Sequence, residues 1–155
     1  MPRQRQVYAR PALCDGCRMC ANACAVVHDG ACNPRLGAIK IKQDLFERYE
    51  FQEVCRHCHE PPCLDACMVG CVTKDPATGI VTNDRDRCVG CWMCVMVCPY
   101  DAVNRDVINE VAIKCDQCRG REVPACVEVC PTGALVFQLR EDAEEEPFFS
   151  EPTVA

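Results

Sequence analysis

Sixteen of the 18 cysteines in this 155-residue chain fall into four groups of four. Group one is Cys14, Cys17, Cys20 and Cys24, with the spacing C-x2-C-x2-C-x3-C. Group two, Cys55, Cys58, Cys63 and Cys67, widens the middle gap to four residues. Group three, Cys88, Cys91, Cys94 and Cys98, returns to the first spacing and is followed by Pro99. Group four, Cys115, Cys118, Cys126 and Cys130, has a seven-residue loop between its second and third members and is followed by Pro131. Three cysteines at C-x2-C-x2-C can wrap three corners of an iron-sulfur cubane. In the bacterial run C-x2-C-x2-C-x3-C-P the fourth cysteine ligates the neighbouring cluster. Sixteen thiols in complete groups are what four [4Fe-4S] clusters require, and the chemistry of such clusters is one-electron transfer. Structural zinc is the alternative, since it also uses C-x2-C pairs, but zinc takes two pairs across a longer spacer and often includes His. Here the triplets are tightly packed, and His57 and His59 are the only histidines inside a group.

No substrate chemistry accompanies the thiols. His28, His57 and His59 lack a nucleophile or carboxylate pattern, so the chain reads as non-catalytic on its own. His57 and His59 flank Cys58, where they can donate hydrogen bonds to cluster sulfur or simply pack the loop. Cys32 and Cys71 belong to no group and read as small buried thiols.

The elements that must position these groups are short. β-Branched stretches at 7–8, 39–41, 49–54, 79–82, 107–113 and 134–139 are the candidate strands, bounded by turn residues such as Asp75-Pro76-Ala77-Thr78-Gly79. Pro or another residue compatible with a helical turn follows each fourth cysteine, and Pro suits a first helical position. The expectation is an α+β fold that repeats strand, cysteine loop, helical turn and strand over residues 1–140. An acidic tail follows at 141–155.

Composition agrees that metal stands in for an ordinary core. Apolar residues make up 49% of the chain, but Cys is counted among them, and Leu, Ile, Val and Phe total only 34. Something must cross-link so thin an interior. Met1-Pro2-Arg3-Gln4-Arg5-Gln6 leads into no apolar signal region and has no twin-arginine pair, so a cytoplasmic chain with reduced, metal-binding thiols is expected. No apolar stretch approaches the roughly 20 residues of a membrane span. The 17 Lys and Arg face 23 Asp and Glu, which leaves no basic surplus for nucleic acid. Arg3, Arg5 and Arg10 at one end and six acids in the tail offer a means of docking on partners, or of stacking copies into longer wires.

Four segments carry a family resemblance: Cys55-Arg56-His57-Cys58 with Cys63 and Cys67, Lys74-Asp75-Pro76-Ala77-Thr78-Gly79, Cys98-Pro99-Tyr100-Asp101-Ala102, and Cys130-Pro131-Thr132-Gly133-Ala134. In these the sequence resembles the dimethyl sulfoxide reductase iron-sulfur subunit family. That family comprises four-cluster ferredoxin-like electron-transfer subunits, which also serve hydrogenases, formate dehydrogenases, carbon monoxide dehydrogenases and tungsten aldehyde oxidoreductases. The resemblance runs over residues 14–135. It implies two pseudo-symmetric bacterial-ferredoxin-like lobes of short β-hairpins and short helices, the outer built from 14–24 and 115–130 and the inner from 55–67 and 88–98.

Exchange of each group's last cysteine, as in the family, implies four ligand sets. Cluster 1 takes Cys14, Cys17, Cys20 and Cys130, and cluster 2 takes Cys24, Cys115, Cys118 and Cys126. Cluster 3 takes Cys55, Cys58, Cys63 and Cys98, and cluster 4 takes Cys67, Cys88, Cys91 and Cys94. The implied role is a wire between a catalytic subunit of pterin-metal type and a flavin or other acceptor subunit. The small size and absent export signal favour a tungsten or molybdenum aldehyde oxidoreductase. A free soluble polyferredoxin is the other reading. Where the family has Pro-Thr-Gly-Ala after group two, this chain has Met68-Val69-Gly70-Cys71.

Overall fold

In the computed structural model, which describes residues 5–44, 46 and 49–139, every strand belongs to one of four antiparallel two-stranded ribbons. β1 (Arg5–Ala9) pairs with β8 (Leu135–Leu139), with Val7 opposite Phe137, and so joins the two ends of the described chain. β2 (Lys40–Asp44) pairs with β3 (Tyr49–Glu53), β4 (Val72–Lys74) with β5 (Val81–Asn83), and β6 (Val103–Asp106) with β7 (Val111–Lys114). The β4–β5 turn is tied by Asp75, whose Oδ1 accepts from the Ala77 amide at 2.9 Å while its own amide donates to the Ile80 carbonyl at 2.9 Å.

The strand expected at 107–113 is not continuous. Asp106 accepts from the amides of Ile108 (3.0 Å) and Asn109 (3.1 Å) and from the Asn109 side chain (2.7 Å), closing a turn at 107–110 before β7 begins. A short acidic side chain that caps its own following amides overrides the β preference of Val107 and Ile108. Both of those residues are left exposed. β4 and β6 lie outside the stretches read as strands from the sequence.

The helices also differ from expectation. α1 (Met19–Asp29) runs eleven residues and ends at Gly30, whose left-handed backbone returns an N–H to the Val26 carbonyl. The other three are single turns: α2 (Pro62–Asp65), α3 (Met93–Met96) and α4 (Ala125–Glu128). Each of the four begins one residue before the third cysteine of its group, rather than after the fourth. The C-x3-C spacing is itself one helical turn and places two cysteines on the same side of it. Pro99 and Pro131 lie in turns instead, while Pro62 opens α2.

Two apolar cores result. One joins Val7, Ala38, Ile39, Val54, Ile113 and Leu135 to Cys20, Cys24 and Cys126. The other joins Val72, Val81, Val103 and Ala112 to Cys63, Cys71 and Cys94. α1 packs against α4 in the first, and α2 against α3 in the second. Polar ties cross between the elements: the Asn104 side chain donates to the Gly37 carbonyl, Asn83 donates to the Ala112 carbonyl at 2.6 Å, and Arg85 meets Asp29 at 2.5 Å.

Candidate metal centres

The loops that carry the first two cysteines of every group share one backbone feature. The residue immediately before the second cysteine has a left-handed conformation in all four: Gly16 (φ 70), His57 (φ 42), Gly90 (φ 66) and Gln117 (φ 60). Residues with side chains cost about 1–3 kcal/mol in that region, and successive amides turned this way form a concave nest for anionic sulfur. The repeated conformation was invisible in the sequence, where the four positions hold Gly, His, Gly and Gln.

Folding brings cysteines from distant groups together. Burial pushes the Cys20 thiol up to about 12, and the nearby charges of Cys14, Cys130 and Cys17 add to it. Burial raises Cys126, with Cys24 and Cys118 as its nearest like charges. Cys115 is raised by burial and by Cys55, Cys126 and Cys24. Burial holds Cys63 at about 11, opposed by Lys114 and reinforced by Cys55, Cys98 and Cys58. Cys94 is raised by burial, then by Cys88, Cys91 and Cys67. The last cysteine of each group thus acts on cysteines of another: Cys130 on Cys20, Cys24 on Cys126, Cys98 on Cys63 and Cys67 on Cys94, while Cys55 also acts on Cys115. All eighteen cysteines are unbridged.

Several N–H groups point at these sulfurs. The amides of Ala38, Ala102, Ala112 and Gln117 lie 3.3, 3.4, 3.4 and 3.4 Å from the Sγ atoms of Cys24, Cys98, Cys88 and Cys115. His28 Nε2 lies 3.6 Å from Cys118 Sγ and 3.4 Å from Asp116. Lys114 Nζ lies 2.7 Å from Cys55 Sγ, a contact that the sequence reading missed. Its one signal was a charged residue closing the apolar strand Val111-Ala112-Ile113.

Of the other residues singled out, His57 is buried and its Nδ1 accepts from the Val81 amide at 3.0 Å, so its proton sits on Nε2. Burial, then the Lys114 charge, pushes that imidazole down to about 3 and keeps it neutral. His59 is exposed. Cys71 is buried as expected, with its Sγ 3.3 Å from Cys67 Sγ. Burial, then that contact, raises the Cys71 thiol above its ordinary value. Cys32 is exposed rather than buried, because it lies in the loop beyond the Gly30 cap. Cys32→Ser is therefore expected to leave iron and acid-labile sulfide content unchanged in a metal assay. The 141–155 tail and Arg3 lie outside the described residues.

The donor set fits iron-sulfur clusters. Cys55, Cys58, Cys63 and Cys98 line one cavity, with Lys114 and Tyr100 also in its wall. The buried Nε2 atoms of His57 and Gln117, at equivalent loop positions, have no hydrogen-bond partner among the described residues. A buried N–H left without a protein acceptor needs another one, and inorganic sulfide beside these thiols would supply it. Among the described residues no helix is long and apolar enough to cross a membrane.

Cysteine clusters held in loops and helical turns between short antiparallel ribbons define an iron-sulfur protein of ferredoxin type. Residues 46–140 match the 4Fe-4S dicluster domain and residues 11–27 a 4Fe-4S binding domain, so the chain belongs to the 4Fe-4S dicluster family of electron-transfer proteins. It is 38% identical over 148 residues to Protein NrfC of Escherichia coli (strain K12), covering 87% of this chain and 65% of that protein. It is 35% identical over 127 residues to the NADH-dependent phenylglyoxylate dehydrogenase subunit beta of Aromatoleum evansii, covering 81% of this chain and 28% of that subunit. The chain thus spans under two thirds of the length of these relatives. In fold it is similar to a chain of the BamBC complex of benzoyl coenzyme A reductase bound to benzoyl-CoA, with TM-score 0.55 at 21% identity, covering 88% of this chain and 80% of that one.

Proposed function

We propose that the chain is a non-catalytic electron-transfer subunit holding four [4Fe-4S] clusters in two pseudo-symmetric lobes. Cys14, Cys17, Cys20 and Cys130 would hold the first, and Cys24, Cys115, Cys118 and Cys126 the second. Cys55, Cys58, Cys63 and Cys98 would hold the third, and Cys67, Cys88, Cys91 and Cys94 the fourth. The observation that carries this reading is the completion of each thiol neighbourhood by one cysteine from a distant group. When bound, such clusters supply reversible one-electron chemistry. The residues of the chain shield the sulfurs in two apolar cores and aim backbone amides at them.

Proximity of Cys20 to Cys126 and of Cys55 to Cys115 supports a row in which the first, second and third sets adjoin in turn. The natural partner of such a wire is a catalytic oxidoreductase subunit, supported by the relative that is a dehydrogenase subunit. A pterin-metal aldehyde oxidoreductase is the reading the sequence favours, and a flavin or other acceptor subunit would take the electrons at the far end. Thiols that must stay reduced until clusters are built favour the cytoplasm.

Anaerobic purification from a host with cluster-assembly machinery tests the reading. About sixteen iron atoms per chain, with a brown absorbance bleached by dithionite, are expected for four four-iron clusters. A colourless zinc-loaded protein would overturn it. Copurification with a second subunit separates the subunit from a free polyferredoxin.

A further inference from the structure

Lys114 ends β7 with only 8% of its surface exposed, and its Nζ sits 2.7 Å from Cys55 Sγ. Among the described residues it makes no ion pair with a carboxylate. A buried ammonium is costly unless opposite charge compensates it, and here the available negative charge is sulfur. The residue also occupies a boundary. It lines the cavity formed by Cys55, Cys58, Cys63 and Cys98, and also a second cavity whose wall includes Cys24 and Asp116. No other described residue lines both, and the next residue in the chain is Cys115.

We propose that Lys114 is a potential-setting residue at the junction of the third and second clusters, its buried ammonium favouring the reduced state of the cluster held by Cys55. This rests on the iron-sulfur reading above. A fixed positive charge in contact with a ligand sulfur stabilises the state that carries one more electron, and the low local dielectric strengthens the effect. The consequence is an electron-accepting step where the third cluster adjoins the second.

The test compares the full chain with Lys114→Gln and Lys114→Arg by iron and sulfide assay and by redox titration followed by electron paramagnetic resonance. Lys114→Gln is expected to keep its full iron content and shift the midpoint of one cluster to more negative potential. Lys114→Arg, which keeps the charge, is expected to lie between Lys114→Gln and wild type. Full loading with every midpoint unmoved would overturn the proposal, as would equal shifts in the two variants, which would indicate repacking rather than charge.

A measurement on the wild-type chain covers the case in which Lys114→Gln fails to load. With ¹⁵N-lysine labelling, pulsed resonance of the reduced protein is expected to show a lysine nitrogen coupled to one cluster, and absence of that coupling overturns the proposal. A zinc-loaded chain would instead overturn the iron-sulfur reading itself, whereas unmoved midpoints in a fully loaded protein would remove only the role of Lys114.

Discussion

Chelating the iron from the anaerobically purified protein under reducing conditions is expected to unfold the chain rather than leave a folded thiol protein. Among the buried apolar side chains of the described residues, eight are cysteines, seven are alanines and only eight are larger aliphatics. A two-stranded ribbon is at best marginally stable alone, and the described residues form four of them, with three helices of a single turn. Without the clusters the cysteines keep only their modest packing value, and the free energy of metal binding is the free energy that holds the fold.

The pH dependence has a definite sign. Cys20, Cys24, Cys63, Cys94, Cys115 and Cys126 are all raised from 9.0, burial being the first cause in each. In an iron-free fold such thiols bind protons more tightly than in the unfolded chain. Their stabilisation is present below pH 9 and is lost as pH rises through the folded values. Residual far-ultraviolet circular dichroism after chelation is therefore expected to be lower at pH 10 than at pH 7. An iron-free chain that kept its native spectrum and a cooperative thermal transition would contradict this account.

Gly90→Ala is expected to cost the protein about four iron atoms, one cluster's worth, and to lower its melting temperature. Gly90 sits between Cys88 and Cys91 at φ +66, where an alanine pays about 1–2 kcal/mol for the left-handed backbone. The larger penalty is steric. The added Cβ would run into the Glu110 carbonyl, a backbone atom of the turn that joins β6 to β7. Glu110 is itself left-handed at φ 55 and cannot retreat without opening the hairpin that carries Lys114 into the interior. Gly30→Ala is the matched control. Its φ is +65 but nothing lies within 4 Å of the new Cβ, so only the backbone cost applies and iron content should hold. Equal melting shifts in the two variants, with full iron in both, would show that the close approach at Gly90 is immaterial.

Much of the site was legible before any folding was considered. The cysteine spacings are properties of nearby residues, and a segment of eleven to sixteen residues can present its thiols without help from the rest of the chain. Most strands were legible too: β1, β2, β3, β5 and β8 overlap stretches chosen for their β-branched or aromatic residues. Where local reading failed, a second local interaction competed with the first. Asp106 turned the chain through Val107 and Ile108, and the C-x3-C segments became helical ahead of the position where Pro suggested a helix would begin. The left-handed backbone at His57 and Gln117 had no signal at all, since neither residue type requires it.

By itself the sequence determined the kind of chemistry, through sulfur spacing that survives in any conformation. The partners of each sulfur were decided by tertiary structure. Cys130 reaches the neighbourhood of Cys20, and Lys114 touches Cys55 from 59 positions away, because β1 pairs with β8 and the β6–β7 hairpin folds inward. Contacts of that span depend on how the chain closes on itself in space, which the spacing of neighbouring residues does not encode.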